Sequence, residues 1–125
     1  MITLIKAGGF YNIALVVFHL LFWRLFNWDE DLRSLSFINR ATMQVMNLSL
    51  VVVFALFAYL SLVHSYELFA TALGHAVLLS IAVLFLLRAL LQVVFFRLRH
   101  WLSFLFLLFF LAGSVLYGIP ALSAY

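Results

Sequence analysis

Four long stretches almost free of charge, at residues 9–27, 40–63, 68–96 and 101–119, constrain this chain more than any other feature. Spanning the hydrocarbon of a bilayer takes about 20 mostly apolar residues in a helix. Helices are also the form in which such a run satisfies its own backbone groups. The chain has 125 residues, of which 69% are hydrophobic and 9% charged. A soluble domain carries roughly 25% charged residues and still exposes much of its area, so lipid is the solvent this composition fits. The expected fold class is an all-α integral membrane four-helix up-down bundle, a single transmembrane domain over residues 1–125.

Polar punctuation separates the spans. Trp28-Asp29-Glu30-Asp31-Leu32-Arg33-Ser34 is the most polar segment, His64-Ser65-Tyr66-Glu67 a tight turn, and Arg97-Leu98-Arg99-His100 a basic one. Pro120 is expected to end the last helix. Lys6 with the apolar run after it resembles the start of a signal peptide. Asn12 and His19 interrupt that run and no small-residue cleavage site follows, so it reads as a retained helix.

Arginines set the orientation. Arg24, Arg33 and Arg40 flank the first loop and Arg97 and Arg99 occupy the third, whereas the other side has Lys6 alone. The positive-inside rule then places both termini outside and loops one and three in the cytoplasm, with Trp23, Trp28 and Trp101 near the cytoplasmic boundary. The inner membrane of a bacterium is the expected location. The excess of Lys and Arg at helix ends serves topology and lipid headgroups and calls for no nucleic acid.

With no cysteine, disulfides, thiolate metal sites and thiol redox chemistry are excluded, and with them the four-helix quinone-coupled disulfide oxidases. No Ser-His-Asp order, glycine-rich phosphate loop or paired carboxylate stands out, which leans the reading away from an enzyme. The remaining chemistry lies in polar residues inside spans, each of which costs free energy without a partner. At 100° per residue, Asn12, His19, Trp23 and Asn27 share one face of the first span, within about 80°. Arg40, Gln44, Asn47, Val51 and Ala58 align on the second span. Arg88 and Gln92 lie one turn apart on the third, with Arg99 continuing the line, and Ser103, Ser114 and Tyr117 share a face of the fourth with Leu107 and Phe110.

By depth, His19, Arg40, Gln44, Asn47, Arg88 and Gln92 are expected to converge in one inner-leaflet cluster. It lacks an acidic partner at matching depth and suits a lipid phosphate or the headgroup of an acidic ligand. Snorkelling arginines and amides bonded between helices explain the same residues without a ligand. Around the outer turn, His64, Glu67 and His75 have metal-ligating side chains at near-helical spacing. Haem at His19 would need a second axial ligand from another copy of the chain, because no other histidine lies at its depth.

The segment Arg40-Ala41-Thr42-Met43-Gln44-Val45-Met46-Asn47 resembles the Arg-Ala-x-x-Asn-x-x-Glu signature in helix 2 of the MAPEG superfamily, the membrane glutathione transferases and eicosanoid synthases. Gln44 stands where the signature has Asn, and Asn47 where it has Glu. The resemblance covers eight residues and implies a trimer binding glutathione between subunits, with Arg40, Gln44 and Asn47 contributing. A small multidrug transporter would have a mid-membrane Glu in the first span, where this chain has Asn12 and His19.

The expected function is therefore a non-catalytic membrane component that binds lipid or an acidic ligand, or an accessory subunit. A MAPEG-like glutathione-dependent enzyme is the first alternative. A small transporter or a haem- or metal-binding subunit is the second. No cofactor is specified. Expected partners are membrane lipids, further copies of the chain, or a larger membrane complex. Fifteen Phe residues and the Ala70-x-x-x-Gly74 spacing offer surface for such contacts.

Overall fold

The structure, a computed structural model, describes residues 1–96 and 100–124. It is an all-α bundle with four helices long and apolar enough to cross a membrane. These are α1 (Ile2–Leu20), α4 (Phe37–Val63), α6 (Ala72–Leu91) and α7 (Trp101–Leu122). Short helices α2 (Phe22–Leu25), α3 (Trp28–Asp31) and α5 (Ser65–Ala70) lie in the connections. Among the described residues there is no strand.

The helix ends follow local chemistry. α1 stops at Leu20, short of the expected residue 27. Asn27 then turns the chain in the left-handed region at φ 54°, a conformation Asn tolerates better than most residues. Ser36 begins α4 by accepting the amide of Asn39 at 3.3 Å. The expected third span divides at Thr71, whose extended backbone separates α5 from α6 and whose hydroxyl accepts the amide of Gly74. Gly74 has no Cβ where the backbone of Leu68 crosses it, so the Ala70-x-x-x-Gly74 pair builds a sharp turn rather than a helix-helix face. α6 leads into a π-helical turn over Gln92–Phe96. Pro120 does not end the last helix: it is buried inside α7, which continues to Leu122. The proline ring fits helical φ, and only one hydrogen bond of the last turn is given up.

α1 packs along α4, and α6 along α7; contact between α1 and α7 joins the two pairs. The core is Ile5, Leu15, Phe54, Leu78, Ile81, Phe85, Phe110 and Tyr117. At the end bearing the termini, two tyrosines lock α1 to α7 reciprocally. Tyr117 of α7 lies against Gly8 of α1, where an added Cβ would come within 2.5 Å of its ring. Tyr11 of α1 lies against Gly113 of α7, with the same 2.5 Å clearance to its hydroxyl. Glycine permits each close approach, as small residues do between membrane helices. The Tyr117 hydroxyl accepts from Asn12 Nδ2 at 2.7 Å and pairs with Ser61 Oγ at 2.7 Å, tying α1, α4 and α7 together. The Tyr11 hydroxyl donates to the Phe109 carbonyl at 2.9 Å.

Candidate functional site

The residues expected to form one cluster are divided between the two helix pairs. On the α1–α4 side, Trp23 Nε1 donates to Gln44 Oε1 at 3.0 Å, and Gln44 Nε2 to the Arg40 carbonyl at 3.2 Å. Asn47 Nδ2 donates to the His19 carbonyl at 2.9 Å. His19 itself is buried, with Nδ1 2.9 Å from the Leu15 carbonyl. A carbonyl oxygen only accepts, so Nδ1 is the donor in this contact. Its ring stacks on Phe22 at 4.5 Å and leans on Phe54 at 5.1 Å. Each amide on this side thus donates one hydrogen bond within the chain, and the buried Asn47 Oδ1 has no partner among the described residues. Arg40 is half-buried and makes no ion pair among the described residues.

On the α6–α7 side, Arg88 Nη1 donates to Gln92 Oε1 at 3.0 Å. Gln92, fully buried at the start of the π-helical turn, passes its Nε2 to Ser103 Oγ at 3.0 Å and to the Ser103 carbonyl at 3.4 Å. The Arg88 guanidinium sits 4.4 Å from the centroid of Phe110 and 5.6 Å from that of Phe96. Arg88 is two turns before Phe96, about 12 Å of helix at 1.5 Å per residue.

A cation that deep costs about 2.5–3.5 kcal/mol on insertion scales. The two rings return about 0.5–2 kcal/mol by cation–π attraction. Among the described residues no carboxylate pairs with Arg88. A guanidinium has five N–H donors, and among the described residues one hydrogen bond is made, to Gln92. Arg99, expected to continue the line, lies outside the described residues, as does Arg97.

The His64, Glu67 and His75 side chains do not come together. His64 Nδ1 is 3.1 Å from Glu67 Oε1, and its Nε2 is 3.2 Å from the Tyr59 hydroxyl. His75 turns elsewhere, with Nδ1 3.1 Å from the Ala121 carbonyl and Nε2 2.7 Å from that of Phe69. The break at Thr71 removes the helical register that would have stacked His75 over Glu67. Among the described residues no three His, Cys, Asp or Glu side chains gather closely enough to hold a metal ion.

Sequence reasoning passed over Tyr11, Ser61 and the glycines that seat the tyrosines. The available signal was the Gly8-Gly9 pair and Gly113 inside otherwise bulky spans, where glycine marks a close approach. No family model, curated protein or solved structure matches this chain.

Proposed function

We propose that the protein is a non-catalytic membrane component that binds an anionic headgroup, of a lipid or of an acidic ligand, at Arg88. The observation that supports this reading is a half-buried arginine inside an apolar span, with aromatic faces against it, one hydrogen bond and no carboxylate partner among the described residues. Phosphate and carboxylate oxygens accept from guanidinium in short, charge-assisted bonds, and these strengthen where water is scarce. Gln92 and Ser103 hold the arginine toward the end of α6, so a headgroup reaches it from that interface. With this end cytoplasmic, the ligand enters from the inner leaflet of a bacterial inner membrane.

The test is native mass spectrometry of the purified full chain with equimolar phosphatidylglycerol and phosphatidylcholine. Wild type should retain the anionic lipid preferentially. Arg88→Gln should lower that preference about tenfold, the ratio for one charged hydrogen bond. An unchanged preference would return Arg88 to the role of a snorkelling side chain.

A further inference from the structure

The seam between α1 and α7 changes character along its length. Toward the termini it is shut by Tyr117 on Gly8 and Tyr11 on Gly113. One turn past Tyr11 an apolar groove of about 460 Å³ runs along the seam, lined among others by Ala14, Phe18, Leu105, Phe106 and Phe110. Phe110, 4% exposed, is the ring against which the Arg88 guanidinium rests at 4.4 Å. Phe110 thus both lines the groove and carries the cation on its ring. A second groove, between α4 and α6, has a similar volume of about 450 Å³; no charged residue lines either groove, but only the first includes a side chain, Phe110, that the Arg88 guanidinium touches among the described residues.

We infer that the α1–α7 groove holds an acyl chain of the phospholipid whose headgroup Arg88 binds, an inference that rests on the reading of Arg88 above. The match is one of charge and shape. A phospholipid carries an anion and an apolar chain on one molecule, and here an unbalanced cation adjoins an apolar groove. In a bilayer the chain gains no hydrophobic energy by leaving other lipids, so the groove contributes through close packing of a shaped void. The headgroup supplies most of the affinity and the groove supplies residence and orientation.

The test uses the full chain in nanodiscs of phosphatidylcholine containing phosphatidylglycerol with a photoactivatable diazirine midway along one acyl chain. Labelling should concentrate on residues 14–18 of α1 and 102–110 of α7, above the lipid-facing residues of α4. Ala14→Phe, on the exposed rim of the groove, should cut that labelling about threefold, a packing-sized effect. It should leave the preference for the anionic headgroup intact. Leu105→Trp, also on the rim at 49% exposure, should act in the same direction. Uniform labelling of all lipid-facing helices, or crosslinks joining two copies through this groove, would overturn the groove assignment. The headgroup reading would still stand if Arg88→Gln abolishes anionic preference, and fall separately if it does not.

Discussion

The two halves of the α1–α7 seam use polar and aromatic groups in opposite ways. In the half near the termini, Tyr117 and Tyr11 fill the space over two glycines and find partners in Asn12, Ser61 and the Phe109 carbonyl. In the half near Arg88, an apolar groove lines the seam, the amides of α4 turn to α1, and a guanidinium makes one hydrogen bond among the described residues. Polar groups that satisfy each other across helices act as fasteners. A cation with one acceptor among the described residues is not closed off in this way, which is why the proposed binding is placed at Arg88. The fastened half is not perfectly matched, since Asn12 Oδ1 is buried without a partner, yet both N–H groups of the Asn12 amide bond within the chain.

Breaking the fastened half should produce the largest effect. Gly8→Ala drives a Cβ into the fully buried Tyr117 ring and should cost about 2–3 kcal/mol in reversible unfolding from detergent micelles. Gly118→Ala is the control: its Cβ would meet Ala82 at 3.8 Å, an ordinary contact, so stability should stay within about 0.5 kcal/mol of wild type. Tyr117→Phe comes next, at about 1–2 kcal/mol, because Asn12 and Ser61 both lose their shared partner inside the bundle. If Tyr117→Phe were as stable as wild type, the hydroxyl network would be incidental to the lock.

Asn47→Leu sharpens the contrast from the other half. It removes a single bond to the His19 carbonyl together with an unpaired buried oxygen, so the change should stay near 0.6 kcal/mol or below, about the average interhelical bond in a membrane. A loss as large as that of Tyr117→Phe would mean that the α1–α4 amides fasten the bundle as firmly as the tyrosines do. The smallest effect is expected at the His64–Glu67 pair. Glu67 is exposed, and Glu67→Gln should shift the unfolding midpoint hardly at all, as with most surface pairs.

Much of the bundle was legible in the order of residues. Runs of apolar side chains gave four spans because a bilayer demands length and internal hydrogen bonding, both of which are local properties. The inward faces were legible too: Asn12, His19, Asn47, Gln92, Ser103 and Tyr117 are all buried, as helical phase implied. Boundaries were less so. Asn27, Thr71 and Pro120 each have more than one backbone option, and packing of the neighbouring segments selected among them.

The partners of the polar groups were not legible at all. Helical phase places Gln44 and Arg88 on inward faces at related depths, but it does not say which helix each face meets. The pairing of α1 with α4 and of α6 with α7 gave Gln44 to Trp23 and Arg88 to Gln92 as hydrogen-bond partners, which depth alone does not specify. The same limit applied to the α1–α7 seam. Gly8 and Gly113 marked a close approach in the chain, but only the crossing of the helices put each beneath a tyrosine of the other. The four spans and their polar faces thus came from the sequence by itself, because periodicity and transfer energy act residue by residue. Which partner each polar group finds was decided by tertiary packing, because a hydrogen bond or an ion contact depends on distances between helices.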